Sequence, residues 1–144
     1  MSVTRTVLGR DGRAKAYRPL PEAVRTAAVA AGIEAYEHGD YFEAHEILEP
    51  AWMGTPDLAE RALLQGLIKL AAAYVHAVRG NARGITRNLE GARERLADAH
   101  ADGRHTFGLD LDALLAAVDA RLADLAREPD RVRLDPPVLT RLAR

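Results

Sequence analysis

The chain has 144 residues, of which 48% are hydrophobic and 28% charged, and its formal net charge is −1. This length and balance suit one globular domain that can bury a core. The absence of cysteine excludes disulfides, thiolate metal ligands and cysteine nucleophiles. No apolar run approaches the roughly 20 residues that span a bilayer, and the N-terminus lacks the apolar stretch of a signal peptide. We therefore expect a cytoplasmic protein with no membrane partner.

The near-zero net charge conceals two segments of opposite sign. Residues 1–20 carry five basic residues against Asp11 alone, a local charge of +4, whereas residues 26–60 carry eight acidic residues and no lysine or arginine. The basic segment lacks interleaved aromatic residues and a helical pattern, which favours an extended N-terminal arm over a nucleic-acid-binding surface. Residues 21–144 are expected to form a single domain.

Helical periodicity dominates the chain from residue 21 onward, and no segment shows the alternation typical of a β-strand. Proline, glycine and capping residues mark where the predicted helices begin and end. The predicted helices span about 21–38, 41–53, 56–79, 82–101 and 109–127. Pro50 is expected to weaken the last turn of the second helix. The proline-rich tail after residue 128 has room for one more helical turn, so the sequence predicts an all-α bundle of five to six helices.

The third predicted helix, about 56–79, is the longest and most apolar. Its apolar residues cover most of the circumference, which is typical of a buried central helix. Its polar residues fall on one narrow stripe, which consists of Arg61, Gln65, Lys69, His76 and Arg79. Because the acidic segment has no cation of its own, we expect this stripe to face the acidic residues of the second helix.

The second predicted helix carries a histidine and two carboxylates beside its apolar arc. At 100° per residue, His45, Glu46 and Glu49 lie next to large apolar side chains. Carboxylates in such surroundings need hydrogen bonds, cations, a metal ion or raised pKa values. This cluster is therefore the first candidate for a functional site.

Three runs in this part of the chain resemble domain-of-unknown-function family 309. They are Gly39-Asp-Tyr-Phe-Glu-Ala-His-Glu-Ile-Leu-Glu-Pro-Ala-Trp52, Leu64-Gln-Gly-Leu-Ile-Lys-Leu-Ala-Ala-Ala-Tyr-Val-His76 and Arg79-Gly-Asn81. The resemblance covers about residues 30–100 and implies a multihelical bundle around a buried central helix. Members of the family have no settled activity but are often labelled predicted metal-dependent hydrolases, so hydrolysis is the reaction class implied.

One interpretation of the cluster is a metal site. His45 and Glu49 are four residues apart on one helix face, and with His76 they could hold a divalent ion such as Zn²⁺, Mn²⁺ or Fe²⁺. Glu46 would then be the general base acting on bound water. The run His-Glu-x-x-Glu lacks the second imidazole of the zinc-protease motif. Lys69 also stands where many relatives of the family carry glutamine, and its ammonium would compete with a metal for the carboxylates.

Two further interpretations remain open. The cluster could be a buried polar network that fixes helix register, neutralised by Lys69 or Arg61, in a non-enzymatic interaction or structural module. Alternatively, a small organic ligand could bind in a cleft between the second and third helices. The ligand-binding candidates in that cleft are Tyr41, Trp52, Gln65 and Lys69.

The sequence does not decide whether the protein is an enzyme. Its partner would be a small molecule or another protein, and a homo-oligomer is compatible with the pattern. His76 has a competing role as a cation at the C-terminus of its helix, and Asn81 is expected to cap the fourth helix.

Overall fold

A computed structural model describes residues 5–8, 14–104 and 106–142 of the chain. Five α-helices make up most of this described part: α1 (Glu22–Glu37), α2 (Tyr41–Gly54), α3 (Leu58–Val78), α4 (Ala82–Asp102) and α5 (Leu111–Arg127). These bounds lie within two residues of the predicted ones. The all-α bundle is therefore confirmed. None of the described helices is both long enough and apolar enough to cross a membrane.

Local signals in the sequence account for the places where the helices begin and end. Gly39 and Gly80 follow α1 and α3 with φ of +83° and +73°, a backbone conformation that glycine adopts without strain. The side chain of Asp57 accepts a hydrogen bond from the backbone N–H of Glu60 at 2.9 Å and so caps α3. These signals depend on only a few neighbouring residues, so they can be recognised in the sequence without knowledge of the tertiary structure.

Helix α3 lies at the centre of the bundle, between α2 and α4, with α1 packed on α2 and α5 packed on α4. Leu63, Leu64 and Ala73 on α3 have no exposed surface. Gly66 lets α3 and α4 approach closely, since a Cβ atom at that position would lie 2.8 Å from the side chain of Leu96. The predicted buried central helix is confirmed.

The predicted N-terminal arm contains an antiparallel hairpin, which the sequence analysis did not predict. Strands β1 (Arg5–Leu8) and β2 (Ala14–Tyr17) pair in a register that places Arg5 opposite Tyr17 and Leu8 opposite Ala14. The expectation that the chain contains no strand was wrong for these residues, because the pairing of two short strands depends on contact between two segments. Residues 1–4 and 9–13 of the arm lie outside the described residues.

The end of the arm is docked on the bundle. The backbone N–H of Arg18 donates to the carbonyl of Met53 at 3.1 Å, and that of Leu20 donates to the carbonyl of Gly54 at 3.0 Å. These bonds satisfy carbonyls that the end of a helix leaves without partners. Helix α2 accordingly continues beyond Pro50, although this proline was expected to weaken the last turn of the helix.

The tail after α5 has a turn at residues 129–130 and no further helix in its described part, 128–142, so the additional helical turn does not form there. Leu134, Pro137 and Leu139 are buried against the bundle. The hydroxyl of Tyr36 donates to the carbonyl of Pro137 at 2.7 Å, and that of Tyr74 donates to the carbonyl of Asp135 at 3.1 Å. The tail therefore completes the core beside α1 and α3.

Candidate functional site

The cluster predicted on α2 forms, but it is not enclosed. Nδ1 of His45 lies 3.5 Å from Oε1 of Glu46 and 3.9 Å from Oε2 of Glu49. The side chains of His45, Glu46 and Glu49 are 30%, 58% and 31% exposed. The expectation that apolar neighbours bury these carboxylates was wrong, because the cluster lies on the solvent side of the α2 arc. A buried polar network is not what these three residues form.

One ring nitrogen of His45 is covered. Its Nδ1 atom is buried and has no hydrogen-bond partner in the described part of the chain. Since the side chain as a whole is 30% exposed, its exposed surface lies on other atoms. Nε2 is therefore the ring nitrogen that remains for a bound molecule.

His76, near the C-terminus of α3, is held by the first turn of α4. The side chain of Asn81 accepts a hydrogen bond from the backbone N–H of Gly84 at 3.0 Å, as an N-cap does. Its amide nitrogen then lies 3.2 Å from Nδ1 of His76. A Cβ atom on Gly84 would lie 2.5 Å from the His76 ring, so only glycine leaves room for this contact. The predicted cap role of Asn81 is confirmed.

The position of Asn81 determines which nitrogen of His76 carries the proton. An amide NH₂ group donates hydrogen bonds and does not accept them, so Nδ1 of His76 must be the acceptor. The assignment of the amide oxygen and nitrogen, which usually follows from the hydrogen-bond network, is determined here by the bond from Gly84. A neutral His76 therefore carries its proton on Nε2.

His45 and His76 line one shallow groove between α2 and α3. This α2–α3 groove has a volume of about 130 Å³, and its lining residues are Phe42, His45, Ala72, Val75, His76 and Arg79. It adjoins a larger hollow of about 440 Å³ that shares Phe42, Val75 and Arg79 with it. Phe42 is 61% exposed, so the groove has an apolar rim that is open to solvent.

The donor set at this groove does not fit the metal that the family label implies. No group of three or more His, Asp or Glu side chains within the described residues is arranged to hold a metal ion. A histidine that binds a metal through Nε2 normally donates its Nδ1–H to an acceptor. At His76 that position faces the NH₂ group of Asn81, which is itself a donor.

The predicted ligand-binding residues lie in different places. Gln65 is buried and lines a separate groove of about 420 Å³ between α3 and α4, together with Arg61 and Arg95. Eleven residues separate Gln65 from His76 on α3, which corresponds to about 16 Å along the helix axis. The polar stripe of α3 is therefore divided between two grooves and does not face α2 along its whole length. Lys69, between the two ends, is half-buried.

The two aromatic candidates belong mainly to the core. Trp52 is only 5% exposed. The ring of Tyr41 packs edge-on against Tyr36 at 5.6 Å and tilted against Tyr74 at 5.5 Å. Tyr41 also lines the larger hollow beside the α2–α3 groove. Trp52 is thus a packing residue, whereas Tyr41 connects the core to the site.

Sequence reasoning missed Phe42 and Arg79 as site residues. Phe42 had been given no site role and Arg79 only a place on the polar stripe of the third helix, yet they line the α2–α3 groove with the two histidines. The available signal was the spacing on each helix: Phe42 and His45 are three residues apart, as are His76 and Arg79, and such pairs share a helix face.

The fold and groove define a small helical-bundle domain with a histidine-lined groove between its second and third helices. Residues 29–88 match the model of the family described as "Domain of unknown function (DUF309)". The match includes α2 and α3 entirely, so the residues of the α2–α3 groove lie within the matched range.

The chain is similar to "Uncharacterized protein YpuF" of Bacillus subtilis (strain 168), with 35% identity over 83 residues. The similarity covers 58% of this chain and 47% of that protein, so the chain spans about half the length of this relative. Neither description names a reaction, and hydrolysis stays a prediction.

Proposed function

We propose that the protein binds a small polar organic ligand in the α2–α3 groove without a metal ion. The observation that carries this proposal is that His45 and His76, from different helices, line one solvent-open groove. Phe42 and Val75 supply apolar surface on the same walls. A few polar groups set in an apolar cleft are typical of small-molecule sites.

The groove is small, with a volume of about 130 Å³. A ligand of this size fills the groove itself, and a longer one extends into the adjoining hollow beside Tyr41.

In this proposal Glu46 and Glu49 position His45 and do not act as a general base and a metal ligand. Both carboxylates approach Nδ1 of His45, on the ring edge that is turned away from solvent. They are not among the side chains that line the groove. A role for the protein as an enzyme, and its location in the cytoplasm, stay predictions from the sequence.

The proposal can be tested by recording the imidazole signals of the folded protein by NMR. Small carboxylic acids, alcohols and amides are titrated in turn, and Zn²⁺ is titrated separately. At least one organic compound is expected to shift the signals of both His45 and His76, and His45→Gln should weaken its binding at least tenfold. Arg83→Met, an exposed position on α4, is the control and should leave binding unchanged.

Two results would contradict the proposal. If no compound in the set moves either histidine signal, the groove is not a ligand site, and the non-enzymatic interaction module becomes the better hypothesis. If Zn²⁺ binds with one-to-one stoichiometry and this binding is lost in both His45→Gln and His76→Gln, the metal interpretation is correct instead.

A further inference from the structure

The two histidines of the α2–α3 groove carry their protons on opposite ring nitrogens. For His76 the amide of Asn81 places the proton on Nε2, as derived above. For His45 the neighbouring groups have the opposite character. A lone pair on Nδ1 would face carboxylate oxygens at 3.5 Å and 3.9 Å, whereas an N–H there is attracted by both. Neutral His45 therefore carries its proton on Nδ1 and has a free lone pair on Nε2.

The groove consequently offers one acceptor and one donor from two chemically identical side chains. His45 presents the lone pair of Nε2, because its other ring nitrogen is buried. His76 has its Cγ–Nδ1 edge against Asn81 and the first turn of α4, so its opposite edge carries the Nε2–H donor. A ligand that satisfies both groups must donate a hydrogen bond at one point and accept one at another.

The charges around the groove favour one orientation of a bound ligand. Arg79 lies next to His76 on the α3 side of the groove. Glu46 and Glu49 lie next to His45 on the α2 side. An anionic group is therefore attracted towards His76 and Arg79 and repelled from the surroundings of His45. The hydrogen-bond donor of the ligand, by contrast, is directed to His45.

We propose that the ligand of the α2–α3 groove is a small hydroxy acid. Its hydroxyl donates to Nε2 of His45, and its carboxylate accepts from Nε2–H of His76 and from the guanidinium of Arg79. Its hydrocarbon part contacts Phe42 and Val75, the apolar residues of the same groove. This inference rests on the proposed function, because it names the chemical class of the ligand for that site.

A first experiment tests the protonation pattern without any ligand. The nitrogen chemical shifts of the two neutral imidazoles are measured in uniformly ¹⁵N-labelled protein. His45 is expected to show a protonated Nδ1 and His76 a protonated Nε2. Glu46→Gln/Glu49→Gln should reduce the preference at His45 and leave His76 unchanged. The same tautomer in both rings of the native protein would overturn the inference.

A second experiment uses three probes that differ in one group each. Lactate has both the hydroxyl and the carboxylate, 2-methoxypropanoate lacks the hydroxyl donor, and lactamide lacks the anionic carboxylate. Lactate is expected to bind at least tenfold more tightly than either analogue. Arg79→Met should weaken lactate binding at least tenfold but leave lactamide binding unchanged. The exposed Arg87→Met on α4 is the matched control and should not affect either.

The outcomes separate this inference from the proposed function. If other small polar compounds bind at His45 and His76 but lactate does not exceed its analogues, the groove is a ligand site and the hydroxy-acid assignment is wrong. If no organic compound shifts either histidine signal, both proposals fail together. If lactate and 2-methoxypropanoate bind equally, the groove recognises a carboxylate, and the acceptor role of His45 is refuted.

Discussion

Arg25 on α1 and Glu60 on α3 form a buried ion pair, with Nε and Oε2 separated by 2.7 Å and side chains that are 12% and 4% exposed. A second nitrogen of Arg25 donates to the carbonyl of Leu20 at 2.6 Å. The pair therefore connects α1, the first turn of α3 and the docked end of the N-terminal arm. The cation that neutralises this acidic residue therefore comes from α1, a contact that the sequence analysis did not predict.

Arg25→Met should lower the free energy of unfolding by about 3–5 kcal/mol, because it leaves the carboxylate of Glu60 buried without its cation. Urea denaturation measures this change. The double variant Arg25→Met/Glu60→Leu should recover much of the loss, since it removes both charges. Arg93→Met is the control: its pair with Asp119 is 47% and 50% exposed, so it should cost about 0–1 kcal/mol. Equal losses at Arg25 and Arg93 would contradict the burial argument.

Gly84→Ala should destabilise the protein by about 1–3 kcal/mol, because the new methyl group overlaps the ring of His76. The loss should become smaller in a His76→Ala background. Without the ring, the remaining close contact of the new methyl group is the amide nitrogen of Asn81, at 2.9 Å. Thermal or urea unfolding of the four proteins gives the coupling between the two positions. A destabilising effect of the same size in both backgrounds would show that His76 is not the obstacle.

Leu139→Ala should reduce stability by about 2–5 kcal/mol, because Leu139 is only 5% exposed and its removal leaves a cavity under the tail. The neighbouring Val138→Ala is a matched control. Val138 is 71% exposed, and substitutions at such surface positions usually change stability by less than about 0.5 kcal/mol. Similar losses at the two positions would indicate that the tail does not pack as described.

The stability of the protein should fall as the pH rises above about 10. Burial raises the pKa of Tyr74 to about 12 and also raises the pKa of Tyr36, while tyrosine in an unfolded chain has a pKa of about 10. Between these values the unfolded state loses protons that the folded state keeps, so the free energy of unfolding decreases with pH. The stabilisation is fully present below pH 10 and is lost as the pH rises towards about 12.

Urea unfolding between pH 8 and pH 11.5 measures this dependence. Tyr74→Phe should flatten the decrease, because it removes one of the tyrosines that titrate differently in the folded and unfolded states. At pH 8 the same variant should lose only about 0.5–1.5 kcal/mol, for the hydrogen bond to the carbonyl of Asp135. An unchanged alkaline slope in Tyr74→Phe would disprove the role of this hydroxyl.

The candidate site could be predicted only in part. The sequence places His45, Glu46 and Glu49 on one helix correctly, because their spacing is a local property. It could not show that Gln65 faces α4 and His76 faces α2, because this depends on where two neighbouring helices contact the long α3. Phe42 and Arg79 escaped notice for the same reason: a residue becomes part of a groove only when the opposite wall is known.

The sequence by itself determined the helix bounds, the cap at Asn81 and the central position of α3. These features follow from periodicity, glycine conformation and capping, which act within a few residues. The tertiary structure alone decided the hairpin, the docked tail, the Arg25–Glu60 pair and the exposure of Glu46. Each of these depends on contacts or on the lack of contacts between distant segments, and a local pattern carries no information about them. The opposite proton positions inferred for His45 and His76 belong to this second group, since different neighbours in space determine each one.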